Sequence, residues 1–323
     1  MRRLGYVRAA VLAIAAGVAG CGVPPPPDGV PDLRGTTPVR LRVRVAENGG
    51  TAVRHVTVEE YVRGSILAEF APAGGDPATV ERMLEVQAVL SRTFAMSHVG
   101  RHARDGYDLC ATTHCQLFDP ARMRTSRWSG LAARAAAQTA GMVLWFDDGA
   151  ATALFHADCG GHTTDPVAVW GGTALSYLRG RADGGPARSA HASWQYEQDV
   201  DAVRLALNAD RRTVVGRRLD RIAVLERDRS GRAVRIRLDG TDRREVRGEV
   251  LREVLTRRFG ARTIRSTAFS VRKAGRTLVF DGRGFGHGVG LCQAGALARL
   301  GAGSSPAAVL LHYFPGTRLL RLG

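Results

Sequence analysis

Apolar and polar residues recur along the chain with two different periods, and these predict a mixture of strands and helices. Residues 39–45 alternate strictly between apolar and basic side chains, which is the pattern of a half-buried strand. Two more alternating runs within residues 219–238, joined by a turn at residues 228–231, predict a hairpin. Further strands are predicted at residues 142–146, 151–155 and within 268–280.

A helical period is found in five other segments of the chain. In the longest of them, Met83, Val86, Leu90 and Phe94 fall on one helix face and predict a buried stripe. The helices are predicted at residues 58–70, 78–98, 132–140, 248–259 and 293–300, the last as a closing helix. Strands joined as antiparallel hairpins, combined with a few helices, predict an α+β fold that is rich in sheet.

Residues 1–20 are typical of a bacterial lipoprotein signal peptide, because Arg2 and Arg3 precede an apolar run too short to span a bilayer. The run ends in a sequence that matches the bacterial lipobox, which implies cleavage before Cys21 and acylation of its thiol. An ordinary signal peptide followed by a chance cysteine is the alternative. We therefore expect an exported lipoprotein, anchored to a membrane and facing the periplasm or the cell wall, and the sequence leaves open which membrane that is.

Residues 21–38 contain four consecutive prolines and predict an extended tether between the anchor and the folded part of the chain. Residues 39–323 are long enough for one large domain with a substantial core. Two intimate lobes are the alternative, with the second lobe at about residues 190–275.

The net charge of +16 comes almost entirely from arginine, since Lys273 is the only lysine. A basic exterior favours acidic partners such as the carboxylates of peptidoglycan, other wall polymers or anionic lipid head groups. Nucleic acid is not expected as a partner, because the chain carries an export signal and no nucleic-acid-binding motif.

A glycine-rich loop at residues 282–296 places five glycines at alternate positions around His287. Glycine has no Cβ, so the backbone of this loop can be approached closely by a ligand or by a neighbouring strand. A tight structural loop is therefore the alternative to a binding loop. A dinucleotide-binding loop is disfavoured, because no βαβ unit opens at this position.

Two histidines and two cysteines lie close together in the sequence, with the spacing His102-x7-Cys110-x3-His114-Cys115. Two thiols and two imidazoles could close a tetrahedral zinc shell, which would be a structural site. A disulfide between Cys110 and Cys115 is the alternative for an exported protein. With acylation of Cys21, four cysteines remain, so a second disulfide between Cys159 and Cys292 is also arithmetically possible.

Glu69 is a carboxylate among apolar neighbours near the end of the predicted helix at residues 58–70. A poorly solvated carboxyl group keeps its proton to higher pH, which suits a general acid near neutrality. A glutamate that faces solvent at the end of a helix is the alternative.

Several of these segments together resemble the SpoIID/LytB family of bacterial cell-wall proteins. The resemblance rests on the glycine-rich loop, on Ser-Arg-Thr-Phe-Ala at residues 91–95 and on Phe-His-x-x-Cys-Gly-Gly at residues 155–161. It extends from about residue 39 to residue 323 and includes a closing motif at residues 311–317. The family fold implied is an α+β domain with a cleft for the glycan strands of peptidoglycan.

The resemblance implies a role for several individual residues. Glu69 matches the catalytic acid of a lytic transglycosylase, although Phe70 stands where methionine is common in the family. Some family members bind zinc at positions similar to His102, Cys110, His114 and Cys115. The residues that match the lining of the glycan cleft are Gln87, Ser91, Arg92, His156, Cys159, Gly286, His287 and Gln293. Arg92 could alternatively support Glu69 or form a buried structural ion pair.

The implied reaction is cleavage of the bond between N-acetylmuramic acid and N-acetylglucosamine, with a 1,6-anhydro-muramoyl product and no metal in the chemistry. Denuded glycan is the preferred substrate that the family suggests. The alternative is a non-catalytic wall-binding protein that stimulates a separate N-acetylmuramoyl-L-alanine amidase. A zinc amidase or thiol peptidase built on Cys110, Cys159 or Cys292 is a third interpretation.

Overall fold

The computed structural model describes residues 32–33, 40–47, 49–184 and 189–322. The predicted signal peptide and Cys21 lie outside these residues, as does the tether apart from residues 32–33. Within the described part of the chain, no helix combines the length and the apolar composition that crossing a membrane requires.

The described residues form nine α-helices and fifteen strands. The helices are α1 (Val58–Glu69), α2 (Pro77–Ser97), α3 (Arg122–Thr125), α4 (Ser129–Gln138), α5 (Pro166–Trp170), α6 (Val200–Asn208), α7 (Gly248–Phe259), α8 (Gln293–Gly301) and α9 (Pro306–Tyr313). The strands are β1 (Asp32–Leu33), β2 (Arg40–Glu47), β3 (Gly50–Thr57), β4 (Leu109–Cys110), β5 (Met142–Phe146), β6 (Gly149–Ala150), β7 (Phe155–His156), β8 (Trp194–Asp199), β9 (Leu219–Arg227), β10 (Ala233–Gly240), β11 (Arg243–Arg247), β12 (Phe269–Ala274), β13 (Thr277–Gly282), β14 (Leu291–Cys292) and β15 (Arg318–Leu322).

The strands pair in several small sheets instead of one large sheet. Their orders are β1-β15-β5-β6, β3-β2-β4, β12-β13-β8, β11-β10-β9 and the two-stranded β14-β7. Most pairs are antiparallel, whereas β14 pairs with β7 in parallel through Leu291↔Phe155 and Cys292↔His156. Small, mainly antiparallel sheets with helices packed against them confirm the α+β class.

Helix α2 lies at the centre of the largest hydrophobic cluster, where it packs against α1, α4, α8, α9 and β5. The side chain of Asp76 accepts a hydrogen bond from the Thr79 N–H, and Pro77 occupies the first turn, so the helix begins at a well-defined position. The predicted stripe of Met83, Val86, Leu90 and Phe94 is buried, as expected for a helix covered by the core on that face.

A second hydrophobic cluster is formed by residues between Trp194 and Phe280. It contains the sheet of β12, β13 and β8 together with the hairpin strands β9 and β10 and the helices α6 and α7. Whether this part of the chain is a separate lobe stays a prediction.

Most of the predicted elements are confirmed, and two predictions are wrong. Residues 151–155 do not form a continuous strand, because β6 ends after two residues and the chain leaves β5 to pair with β14. The predicted closing helix at residues 293–300 is not the last element, since α9 and β15 follow it. Strand β15 pairs with β5 and thereby returns the chain to the sheet that lies beside α2.

Candidate active site

Glu69 is the last residue of α1, a helix that starts with a capping box between Thr57 and Glu60. Its side chain is partly buried, and its Oε1 accepts a hydrogen bond from the Leu117 N–H at 2.5 Å. Leu117 lies in the loop that follows Cys115, so this loop fixes the orientation of the carboxyl group.

Burial raises the pKa of Glu69 to about 7, because the low-dielectric surroundings disfavour the ionised carboxylate. The Leu117 hydrogen bond and the positive charge of Arg122 act in the opposite direction but do not cancel the effect of burial. Near neutral pH, protonated and ionised forms of Glu69 are therefore both populated. Such a group can donate a proton in one step and accept one in the next.

A chain of side-chain amides joins Glu69 to three of the residues predicted to line the cleft. Gln293 donates from Nε2 to the Gln87 Oε1 at 3.0 Å and to the Glu69 carbonyl at 3.4 Å. Gln87 in turn donates to the Ser91 Oγ at 3.4 Å. The side chains of Gln87 and Ser91 are completely buried, so in this structure they contact Gln293 and each other instead of solvent.

Arg92 is buried and forms an ion pair with the partly exposed Glu59. Its Nε and Nη2 each donate to one carboxylate oxygen of Glu59 at 2.7 Å, and its Nη1 donates to the carbonyls of Ala88 and Met142. Only 2% of the Arg92 side chain is exposed. Its partner is thus Glu59 and not Glu69, and the geometry favours the alternative of a structural ion pair over contact with a substrate.

His156 and His287 lie next to each other, with ring centroids 5.5 Å apart. Burial, helped by the nearby charges of Arg252 and Arg232, lowers the pKa of His287 to about 3. The pKa of His156 is also far below its ordinary value, because that ring is buried beside His287 and Arg232. Both imidazoles are therefore neutral at physiological pH and act as polar, uncharged groups.

Trp170 extends this pair of rings toward solvent. Its indole lies 5.1 Å from the His287 ring, centroid to centroid, and 45% of the residue is exposed. Its position in the sequence did not predict a role in the site. The available signal was an aromatic residue directly before Gly171 and Gly172, at the end of a short helix.

The glycines of the loop at 282–290 are explained in part by protein contacts. A Cβ on Gly286 would lie 2.8 Å from the His156 Cβ, and a Cβ on Gly290 would overlap the Leu154 carbonyl. The Gly286 N–H donates to the Arg265 carbonyl and its C=O accepts from Arg232. Close approach is thus required here, and at these two positions the approaching group is another segment of this chain.

The four residues predicted to bind a metal come together in space. The ligand atoms of His102, Cys110, His114 and Cys115 all lie within 4.8 Å of one another. Cys110 Sγ is 3.3 Å from Cys115 Sγ, the His102 Nε2 is 3.4 Å from Cys115 Sγ, and the His114 Nδ1 is 3.7 Å from both sulfurs. The neighbouring ligands His114 and Cys115 can both point inward because the chain bends there, with a Cys115 N–H bond to the Thr112 carbonyl.

This His/Cys cluster could bind a metal, and it has the features of a supported site. Asp105 Oδ2 lies 3.5 Å from the His102 Nδ1, on the side of the ring that faces away from the sulfurs. A carboxylate in this position orients a ligating imidazole. Two cysteines and two histidines are a typical closed zinc shell. Because Leu117 is two residues after Cys115, the cluster and Glu69 are connected by a very short segment.

The predicted site residues thus fall into connected groups. Ser91, Gln87 and Gln293 form a hydrogen-bonded chain that ends at the Glu69 carbonyl. His156, Cys159, Gly286 and His287 lie around the glycine-rich loop. Cys292 and Gln293 are consecutive residues, so the two groups meet at the start of α8. Arg92 belongs to neither group, and the Cys159 thiol is buried.

Comparison with known proteins provides independent information on this arrangement. Residues 46–146 match the SpoIID family model, described as stage II sporulation protein, and residues 178–290 match a family described as a domain of unknown function. Stage II sporulation protein D of Bacillus subtilis is 24% identical over 295 residues, which cover 86% of this chain and 79% of that protein. An uncharacterized protein of Brachyspira hyodysenteriae is 26% identical over 274 residues, 83% of this chain and 68% of that protein.

A shorter match has a higher sequence identity. The amidase enhancer of Bacillus subtilis is 43% identical over 61 residues, which are 19% of this chain and 9% of that protein. Together, these similarities define a protein with a role related to the bacterial cell wall. Within that class, the matches support the SpoIID/LytB family and agree with the resemblance seen in the sequence.

Proposed function

We propose that this protein is a peptidoglycan lytic transglycosylase that cleaves glycan strands between N-acetylmuramic acid and N-acetylglucosamine. The observation that carries the proposal is the state of Glu69, a partly buried carboxyl group with a pKa of about 7 that is held by the Leu117 N–H. A single carboxyl group that can both give and take a proton near neutrality is sufficient for this reaction.

In the first step, protonated Glu69 donates its proton to the glycosidic oxygen while the bond from that oxygen to C1 of the muramic acid breaks. Positive charge then develops at C1 and the ring oxygen, and the ionised carboxylate is stabilised by the Leu117 N–H. In the second step, Glu69 takes the proton of the C6 hydroxyl while O6 bonds to C1. The enzyme returns to its starting form, no water is consumed, and the product is a 1,6-anhydro sugar.

The neighbouring groups supply the surface for the glycan. Gly286 and His287 form one wall of the proposed cleft, with the buried His156 and Cys159 behind them. The exposed Trp170 offers an indole face to the apolar face of a sugar ring. Gln293 is the amide closest in the network to Glu69, and Gln87 and Ser91 hold it in place. Arg92 positions α1 against α2 through Glu59.

The residues His102, Cys110, His114 and Cys115 fit a structural zinc ion, and Asp105 fits the supporting position next to His102. When bound, zinc would cross-link the segment from His102 to Cys115 and take no part in bond cleavage. The loop fixed in this way carries Leu117, so the metal site positions the group that holds Glu69.

A role related to the cell wall indicates an exported protein, and we propose a lipid anchor on Cys21, joined to the domain by the tether at residues 21–38. The proposed partners are peptidoglycan glycan strands and the membrane. The second candidate function is that of a wall-binding enhancer of a separate amidase, favoured by the short but 43% identical match to an amidase enhancer.

The proposal is tested by mass spectrometry of the soluble products formed from purified glycan strands, both denuded and peptide-bearing. Wild-type protein should release 1,6-anhydro-muramoyl products, and Glu69→Gln should not. The matched control is Glu85→Gln, because Glu85 is also partly buried and also has a pKa of about 7, but its charged neighbours are Glu81 and Arg82 on its own helix. Intact binding without cleavage of either substrate by the wild type would instead support the enhancer function.

A further inference from the structure

We propose that His156, Cys159 and Cys292 form a second metal site, specific for a thiophilic cation such as Zn²⁺ or Cu⁺. Each residue offers one ligand atom, and these three atoms lie within 4.8 Å of one another. All three residues are at least nine-tenths buried. Zinc–sulfur bonds of about 2.3 Å in a tetrahedral shell place neighbouring sulfurs roughly 3.8 Å apart, so a group of this size is of the right dimensions.

The hydrogen bonding of His156 leaves one ring nitrogen available as a ligand. Its Nδ1 lies 3.1 Å from the Val289 carbonyl, and since a carbonyl can only accept, Nδ1 carries the proton. Nε2 then keeps its lone pair, and it is buried with no hydrogen-bond partner among the residues that the structure describes. An N–H donated to a carbonyl on one side with a free nitrogen on the other is the usual arrangement of a metal-ligating histidine.

Two backbone donors fix the position of the Cys292 sulfur. It is the N-cap of α8, and its Sγ accepts hydrogen bonds from the Gly295 N–H at 3.3 Å and the Cys159 N–H at 3.2 Å. These contacts hold the sulfur inside the group, and a thiolate formed on metal binding would accept the same two hydrogen bonds. Asp183 supplies an oxygen at the edge of the group, with its Oδ2 3.8 Å from Cys159 Sγ.

A metal here would stabilise a weak point of the fold. Strands β7 and β14 contain two residues each, and so short a parallel pair has little stability of its own. His156 is in β7 and Cys292 is in β14, so one ion would cross-link the two strands, together with the loop that begins at Cys159. On binding, the two thiols release their protons to solvent, and the two thiolates balance a divalent ion.

The test is elemental analysis of the full-length chain, purified without chelators or reductants, combined with thiol alkylation and intact mass measurement. Wild type should carry two equivalents of metal. Cys110→Ser/Cys115→Ser should keep one equivalent, bound at the His156 site. Cys159→Ser/Cys292→Ser should also keep one equivalent, bound at the His102 site. Zinc and copper are distinguished by the same analysis.

The proposal is wrong if Cys110→Ser/Cys115→Ser contains no metal. A mass lower by two hydrogens, with Cys159 and Cys292 protected from alkylation, would then show the disulfide instead. If that variant does not fold, the metal content of Cys159→Ser/Cys292→Ser is the test. The proposal is also wrong if this second variant contains as much metal as the wild type. None of these readouts depends on glycan cleavage, so the result stands apart from the proposed enzymatic function.

Discussion

Glu59 and Glu69 lie ten residues apart on one helix and have opposite properties. Glu59 pairs with the Arg92 guanidinium, which lowers the pKa of its carboxyl group in spite of burial. Among the residues that the structure describes, Glu69 forms no ion pair, and burial raises its pKa to about 7. Helix α1 therefore carries one carboxylate with a structural role and one that can be protonated near neutral pH. The difference comes from the groups packed around each carboxylate and not from the local sequence alone.

The largest expected effect is on catalysis. Glu69→Gln should lower the rate of glycan cleavage by a factor of about 10² to 10⁴, the usual contribution of a general acid, because an amide cannot supply the proton. The measurement is the initial rate of anhydro-product release. Retention of more than a tenth of the wild-type rate by Glu69→Gln would contradict the assignment.

The second effect is on stability, and here Glu59 matters more than Glu69. Glu59→Gln should reduce the free energy of unfolding by about 1–3 kcal/mol, because the buried Arg92 guanidinium loses its charged partner while water still reaches the 41% exposed side chain at position 59. Glu69→Gln should leave stability unchanged or slightly higher. Urea unfolding followed by circular dichroism measures both.

The control for this effect is Glu81→Gln. Glu81 also binds an arginine through both carboxylate oxygens, but its partner Arg134 is 57% exposed. Exposed pairs contribute only about 0–1 kcal/mol. Equal losses for Glu59→Gln and Glu81→Gln would show that burial of Arg92 does not determine the cost.

Removal of the metal proposed at His102, Cys110, His114 and Cys115 should have a smaller effect on activity. Chelation, or Cys110→Ser/Cys115→Ser, should loosen the loop that carries Leu117 and lower the cleavage rate by at least about tenfold, which is the value of one hydrogen bond to a charged group. Loss of the Leu117 donor also removes an interaction that lowers the pKa of Glu69. The rate should therefore fall while its pH profile moves to higher pH, whereas an unfolded protein would show no profile at all.

The smallest effect is a shift of the pH profile caused by one surface charge. Cleavage should decline as the pH rises through about 7, where Glu69 loses its proton. Arg122→Gln should move this decline upward by a fraction of one pH unit, because Arg122 favours the ionised form but is exposed and screened by water. An unchanged profile would mean that another group controls the rate.

The same pKa has a consequence for stability with a defined sign. Glu69 binds its proton more tightly in the folded chain than in the unfolded chain, whose glutamates titrate near 4.5. Its contribution is therefore fully present below that pH and is lost as the pH rises to about 7. Glu69→Gln should remove this part of the pH dependence of unfolding, as measured by urea titrations across that interval.

The sequence predicted much of the secondary structure because many elements have strong local signals. The apolar stripe of α2 and the alternating runs of β9 and β10 are examples, and both are confirmed. The strand predicted at residues 151–155 is wrong because the pairing of Phe155 depends on β14, which lies more than a hundred residues away in the sequence. Periodicity carries no information about such a partner.

For the candidate site, the sequence provided residue types but not their partners. The clustering of His102, Cys110, His114 and Cys115 followed from short spacing. The pairing of Arg92 with Glu59 could not be distinguished from other roles of an arginine, since it depends on how α1 packs on α2. The Leu117 N–H that binds Glu69 is a backbone group, so the residue type at position 117 does not predict this contact.

The hydrogen bond from Gln293 to the Glu69 carbonyl joins residues separated by 224 positions in the chain. The surroundings of the proposed acid are therefore completed only when a segment near the carboxyl-terminal end has folded against an early helix. In an exported chain that emerges from its amino end, the site would be assembled last, after translocation is nearly finished. Under the proposed function, an exported chain of this kind would be inert until almost the whole molecule had left the cell.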